Sequence, residues 1–298
     1  MKVTALVVTY NRLQLLKECL AAIDFQTVPV DHVIVIDNHS TDGTKSFLDS
    51  INRPNFEVVH MSKNLGGSAG FYQGMEEFID SNSDELLWLM DDDTIPETDT
   101  LQKLLEASRN IYDIGFLASN VRWTDGSPAL MNIPVVDPLD WNKSASGRGF
   151  YPVVKSASFV SLMIPRKIIQ QVGLPYKEFF IWGDDAEYTS RISQKHTSYF
   201  VPDSIVIHKM KQNTGVDIVS DDSDRLDRYF YSFRNRMFLA RQHHGKSRLK
   251  SYAGMSWELA RVACGRGVHK RAKKIEVITH GMFSGRFFNP KITYIHRN

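Results

Sequence analysis

The chain has 298 residues, 42% hydrophobic and 23% charged, with a net charge of +2. That is room for one large α/β domain, or a domain with a helical appendage, in an ordinary soluble globular protein. Two cysteines, Cys19 and Cys264, are too few and too far apart for a disulfide framework or a zinc ribbon, and they fit an intracellular setting. No stretch approaches the roughly 18 apolar residues of a membrane span, and the opening MKVTALVVTYNR reads as a first strand, not a signal peptide. The small net charge hides an asymmetry. Residues 225–298 hold 17 Lys and Arg against 3 Asp and Glu, whereas residues 1–224 hold 19 against 31. A basic, aromatic tail on an acidic body reads either as a solvated helical face or as a surface for an anionic partner, such as a membrane, a diphosphate or nucleic acid.

In chain order, VTALVV is a buried strand and RLQLLKECLAAI carries apolar residues at helical spacing. HVIVID is a second strand, and STDGTKSFLDSI offers Ser40 as the N-cap of a short helix. FEVVHM, GSAGFYQGMEEFI and ELLWLM follow as strand, glycine-entered helix and strand. Short apolar strands joined by helices predict a mainly parallel sheet covered on both faces. Residues 122–157, rich in Gly, Pro and Ser, read as a long loop of the kind that covers active sites. Then SFVSLMIP is a strand, FFIWGDDAEYTSRIS a strand, turn and helix, and SYFVPDSIVIHKM two short strands. From about Asp222 the pattern is helical and basic.

Ligands of such sheets bind beyond the C-terminal ends of strands. Those ends carry Thr9-Tyr10-Asn11, Asp37-Asn38, Asn64 with Gly66 and Gly67, and Asp91-Asp92-Asp93, so four polar clusters converge on one rim. Three adjacent carboxylates at an apolar strand end either cap a solvated turn or gather around a cation. In the second case Asp91 and Asp93 turn toward one Mg²⁺ or Mn²⁺ that bridges to a diphosphate, while Asp92 points at sugar or backbone. A haloacid-dehalogenase-type phosphatase also begins with Asp-x-Asp. Its motif sits on the first strand and wants Thr where Ile95 stands, so that reading is set aside. In IWGDDAEY, Asp184 and Asp185 are either first-turn acids favoured by the helix N-terminus or a source of a general base, with Trp182 as a platform for a sugar ring or a core residue. His208, after the apolar SIVI, is either structural or a third metal ligand.

VVTYNR, VIVIDNHSTDGT, KNLGGSAGFYQGM, WLMDDDTIP and FFIWGDDAEYTSRI, in this order and spacing, resemble the inverting family 2 glycosyltransferases of the GT-A fold, over roughly residues 3–210. The resemblance implies an α/β, Rossmann-like GT-A domain over residues 1–221, with a nucleotide-sugar half to about 121 and an acceptor half from 122. Residues 222–298 would be a basic helical region for acceptor or membrane association. It implies that Thr9, Tyr10, Arg12, Asp37, Asn64, Gly66, Gly67 and Asp92 bind the nucleotide sugar, with Gly70 also letting the backbone approach. Asp91, Asp93 and His208 would hold the divalent metal, and Asp185, beside Asp184, would be the catalytic base. YFYSFRNR is similar to a family segment near the acceptor, which adds Tyr231, Arg234 and Asn235 to Trp182 as acceptor contacts.

NLGGSAGFYQGM with WGDDAEY looks most like the bacterial galactofuranosyltransferase branch, whose donor is UDP-galactofuranose; the neighbouring rhamnosyltransferases use dTDP-rhamnose. A lipid-linked or polysaccharide acceptor in cell-surface glycan synthesis is expected, at the inner face of the membrane. RGVHKRAKK suits anionic headgroups and implies a cytoplasmic, peripherally attached protein. Two other classes compete. A sugar nucleotidyltransferase would want a glycine-rich phosphate loop, which VVTYNRLQLLK lacks, and a non-catalytic nucleotide-sugar-binding protein would not need its carboxylates intact. No recognition motif supports nucleic acid, and an oligomer is left open.

Overall fold

A computed structural model describes residues 1–81, 83–138 and 151–295. The chain divides into two units: Met1–Lys177, Asp185–Thr214 and the terminal segment from Ile292 form the larger, and Glu178–Asp184 with Gly215–Lys291 form the smaller.

The larger unit begins as alternating strands and helices: β1 (Val3–Thr9), α1 (Leu13–Asp24), β2 (His32–Asp37), α2 (Thr44–Asp49), β3 (Phe56–His60), α3 (Gly67–Ser81) and β4 (Leu86–Asp91). It continues with β5 (Thr94–Pro96), α4 (Thr100–Asn110), β6 (Ile114–Arg122), the short pair β7 (Val135–Val136) and β8 (Val154–Ser156), β9 (Leu162–Pro165) and α5 (Arg166–Val172). Helix α6 (Asp184–Ser193), from its second residue onward, and strand β10 (Thr197–His208) complete it. Among the described residues, eight strands share one sheet in the order β3-β2-β1-β4-β9-β6-β10-β5. β3, β2, β1 and β4 are mutually parallel. β9 runs antiparallel to both β4 and β6, so β6 and β10 point the same way as β4, and β5 closes the edge antiparallel to β10. The C-terminal ends of β1, β2, β4 and β10 therefore open on one rim.

Apolar side chains on both faces explain the unbroken hydrophobic runs. Leu6, Val8, Leu87 and Leu89 pack in one cluster with Phe71, Met75 and Phe78 of α3. Val3, Ala5, Val7, Trp88 and Met90 pack in the other with Leu16 and Cys19 of α1 and Leu101 and Leu104 of α4. Each such buried aliphatic or aromatic side chain stabilises the fold by about 1.5–3 kcal/mol. Helix α3 lies so close to β1 that a Cβ on Gly70 would sit 2.5 Å from Val8 Cγ1. Gly70 is thus required by helix–strand packing.

Four sequence expectations change. The short helix after β2 begins at Thr44 behind a left-handed Gly43 at φ 90°, so Ser40 is not its N-cap. FFI forms no strand: Lys177–Phe179 is a 3₁₀ turn, and Phe180 and Trp182 are left-handed at φ 66° and 63°. SYFVPDSIVIH is one strand with a register shift between Val201 and Ile205, where Pro202 cannot donate to the ladder. The 122–157 stretch contains the β7–β8 pair and a 3₁₀ turn at Leu130–Asn132, while residues 139–150 lie outside the described residues.

The smaller unit holds α7 (Arg228–Gln242), α8 (Gly245–Cys264) and α9 (Arg271–Gly285). Tyr229 and Phe233 of α7, Met255 and Val262 of α8, and Val277 and Ile278 of α9 share its core. Lys274 is fully buried there, its charge met by Asp222 Oδ1 at 2.9 Å and the Val219 carbonyl at 2.9 Å. No helix among the described residues is long and apolar enough to cross a membrane.

Candidate active site

Sheet register brings the predicted residues together. Thr9 pairs with Asp37 across β1–β2, and Val8 with Asp91 across β1–β4. His208, the last residue of β10, pairs with Thr94 just beyond the aspartates. One ligand atom from each of Asp91, Asp93 and His208 falls within 4.8 Å of the other two. His208 Nε2 stands 3.0 Å from Asp93 Oδ1, and its Nδ1 is 2.8 Å from Asn132 Oδ1. The Asn132 amide is itself anchored, its Nδ2 donating to Ser158 Oγ at 2.9 Å. Nδ1 is thus taken up by Asn132 Oδ1, and Nε2 is the ring nitrogen that faces the carboxylates. Two carboxylates and an imidazole nitrogen so oriented suit a hard-to-borderline divalent cation.

Part of the positive charge for the aspartate triplet comes from the chain itself. Arg12 Nη1 donates to Asp92 Oδ1 at 3.2 Å and makes a very short contact with Asp93 Oδ2. Burial opposes the guanidinium charge, but Asp93, Asp92 and Asp91 together override it and hold Arg12 ionised. Asp92 is buried and its Oδ2 accepts from Thr9 Oγ1 at 2.7 Å and from the Tyr10 N–H at 3.3 Å, tying the end of β1 to the end of β4. Burial pushes the Asp92 carboxyl up to about 6, against the pull of Arg12 and Thr9. Burial acts on Asp93 in the same direction, yet His208 and Arg12 win and hold it below the ordinary carboxylate range.

Around the strand ends the loops interlock. Asp37 is buried; its Oδ1 accepts the Ser40 N–H at 2.9 Å and its Oδ2 lies 2.8 Å from His60 Nδ1, while His60 Nε2 reaches Asp49 at 2.9 Å. Asn64 Oδ1 accepts from Asn38 Nδ2 at 3.0 Å and from the Gly66 N–H at 2.9 Å, which bends the chain into α3 with Gly66 at φ 85°. A Cβ at Gly67 would meet nothing within 4 Å, leaving open space at the first residue of α3. Tyr10 is exposed on the same rim.

Asp184 and Asp185 open α6, Asp184 buried and Asp185 half-buried. Burial raises the Asp185 carboxyl above the usual range, although its Oδ1 accepts the Ala186 N–H at 2.7 Å. Within the smaller unit, Trp182 packs edge-on to Tyr229 at 5.0 Å, and Tyr231 stacks on Phe180 at 4.5 Å. Asn235 is 1% exposed and spends its amide on the carbonyls of residues 179–182, so it has no face for an acceptor. Sequence reasoning missed Asn132 and His60. A polar residue inside a Gly/Pro-rich loop and a histidine at a strand end were the signals available, and neither names its partner.

The family model for glycosyl transferase family 2 matches residues 4–159. Galactofuranosyltransferase GlfT1 of Mycolicibacterium smegmatis is 26% identical over 80% of this chain and 83% of its own. Its Mycobacterium tuberculosis counterpart, also named galactofuranosyltransferase GlfT1, is 25% identical over 80% and 82%. Glycosyltransferase AglE of Haloferax volcanii is 25% identical over 69% of this chain and 66% of its own. Among solved structures, GalNAc-T7 with UDP, GalNAc and Mn²⁺ superposes with a TM-score of 0.60 at 15% identity, covering 79% of this chain and 51% of that one. TarS of S. aureus gives 0.54 at 16% identity over 95% and 55%. At such identity these two speak for the fold alone, and that fold is GT-A. The matched domain, spanning more than half of the chain and including the aspartate triplet, makes this protein a glycosyltransferase, a member of glycosyl transferase family 2.

Proposed function

We propose that the enzyme transfers galactofuranose from UDP-galactofuranose to a hydroxyl of a lipid-linked or polysaccharide acceptor in cell-surface glycan synthesis, by one inverting displacement. The observation that carries the mechanism is the convergence of Asp91, Asp93 and His208 at the strand rim, where Asn132 aims the imidazole. These three residues would hold Mn²⁺ or Mg²⁺. Bound there, a divalent ion supplies charge that offsets the leaving diphosphate. Thr9, Tyr10, Arg12, Asp37, Asn64, Gly66 and Gly67 line the nucleotide side, and Asp92 keeps β1 and β4 in register beneath it. Asp185 accepts the proton of the acceptor hydroxyl as its oxygen attacks the anomeric carbon and the bond to the diphosphate breaks. A burial-raised carboxyl is the better base for this step. Asp184 lies beside it at the helix start, and Trp182 and Tyr231 offer aromatic faces for a sugar ring. No protein nucleophile is needed.

The galactofuranose assignment is supported by the two relatives named galactofuranosyltransferases, each matched over more than four-fifths of its length. A cytoplasmic enzyme attached to the inner face of the membrane is the accompanying reading, with residues 1–221 catalytic and 222–298 carrying the attachment. Its support is the outward face of α8, where Leu249 and Trp257 are 69% and 67% exposed beside Lys246 and Lys250, which have no ionic partner among the described residues. A cationic helix face with an exposed Trp and Leu matches an anionic lipid surface.

A donor screen tests the assignment. UDP-galactofuranose, dTDP-rhamnose and UDP-hexopyranoses are offered with Mn²⁺ or Mg²⁺ and a lipid-linked acceptor analogue, and product configuration is read by NMR. Transfer from UDP-galactofuranose with inversion is expected. Transfer from dTDP-rhamnose alone would replace the donor, and retention would refute the single displacement.

A further inference from the structure

The segment Glu178–Gly183 is held in a conformation its residues do not favour. Phe180 and Trp182 are left-handed at φ 66° and 63°, and Gly183 follows at φ 93°. Bulky side chains avoid this region, and such backbone persists only where surrounding contacts over-determine it. Two residues before the helix-opening Asp184, the chain thus makes a turn that local propensity cannot maintain.

The contacts that maintain it come from α7. Asn235 Nδ2 lies 3.0 Å from the carbonyl oxygens of Phe179 and Trp182 and 3.4 Å from that of Ile181. Arg234 Nη2 donates to the Glu178 carbonyl at 2.6 Å and the Phe179 carbonyl at 3.1 Å. Arg234 also orients the amide, donating from Nε and Nη2 to Asn235 Oδ1 at 3.1 and 3.0 Å, so the NH₂ group must face the carbonyls. The guanidinium is fixed in turn by lying 4.0 Å over the Phe288 ring. Tyr231 grips the same segment by stacking on Phe180, and Tyr229 by packing on Trp182. An Arg–Asn pair therefore collects four consecutive-turn carbonyls, from residues 178, 179, 181 and 182, immediately upstream of the proposed base.

We propose that Arg234 and Asn235 are positioning residues for catalysis: they pin backbone 178–182 in its left-handed turn and thereby set where α6 starts and where the Asp185 carboxylate stands. They act through the backbone and touch neither sugar. The proposal rests on the reading of Asp185 as the base. Placing a reacting group about 1 Å wrong costs on the order of 100-fold in rate.

Asn235→Asp is the sharpest test, because it keeps shape and replaces the donor NH₂ by an oxygen facing the same carbonyls. Wild type, Asn235→Asp and the milder Arg234→Lys, which keeps the charge but not the fork, are compared for kcat, both KM values, UDP affinity by calorimetry and the pH dependence of kcat. The expected result is a kcat loss approaching 100-fold, unchanged UDP affinity and acceptor KM, and a moved acidic limb, since the carboxylate's burial changes with its position. A normal kcat overturns the proposal, as does a loss confined to acceptor KM, which would make these residues direct acceptor contacts. An unmoved limb also overturns it, because mere loss of folded protein lowers the rate without shifting the profile. Should Asn235→Asp fail to fold, the same split in Arg234→Lys decides. Asp185→Asn, run alongside, separates the two readings: full turnover there refutes the base assignment, whereas loss there with normal turnover in the clamp variants overturns the clamp alone.

Discussion

Replacing Asp185 by Asn should separate catalysis from folding. Asn Oδ1 can still accept the Ala186 N–H that Asp185 accepts at 2.7 Å, so the start of α6 keeps its geometry. What disappears is the ability to take a proton. Positioned general bases contribute about 10²–10⁴ in rate, equivalent to about 3–5 kcal/mol of barrier. The stability effect has the opposite sign. Burial raises the Asp185 carboxyl in the folded state, so the folded protein holds its proton more tightly than the unfolded chain. Such a group is neutral in both states below the unfolded value. It loses stability as pH rises from that value through the folded one, and at neutral pH it is a charge the fold would rather not hold. Asp185→Asn should therefore melt no lower than wild type at pH 7.5, and the difference in Tm should shrink toward pH 4. Initial transfer rates, UDP calorimetry and melts at the two pH values make the assay. Near-normal transfer, or a clear drop in Tm at pH 7.5, would refute the reasoning. In wild type the same shift places the acidic limb of kcat/KM above the ordinary aspartate value of about 3.9.

Asn132→Ala removes the acceptor that holds His208 Nδ1, and should weaken Mn²⁺ binding by roughly 10–100-fold, as loss of such outer-shell partners does; an EPR titration giving wild-type affinity would exclude that role. Gly70→Ala forces a methyl to within 2.5 Å of Val8 Cγ1, and should cost about 1–3 kcal/mol in denaturant unfolding. An unchanged midpoint would mean α3 can move away freely. Lys246→Glu with Lys250→Glu should abolish sedimentation with phosphatidylserine vesicles at low salt, and Trp257→Ser should weaken it. Undiminished binding by these variants would place the contact elsewhere, and no binding by wild type would remove it.

Much of the fold was legible because the chemistry is local. VTALVV, HVIVID and ELLWLM are apolar on both sides of the pleat, and only strands covered by helices on both faces are written that way. Polar residues stand where each run stops, so the ligand-bearing rim followed from counting strand ends. The spacing of the triplet likewise set Asp92 apart from Asp91 and Asp93 within the sequence itself. Tertiary structure alone decided the rest, because it depends on pairs far apart in sequence. Arg12 meets Asp92 and Asp93 across 80 and 81 residues, and His208 meets Asn132 across 76. Nothing near Phe180 or Trp182 asks for a left-handed backbone; the carbonyl acceptors of Asn235, 53–56 residues away, impose it. Composition and periodicity determined which surfaces are apolar and where chains turn, since those preferences belong to single residues and their neighbours. Which carboxylate meets a cation, which imidazole nitrogen stays open and which amide clamps a turn are properties of pairs, and pairs exist only once the chain has folded.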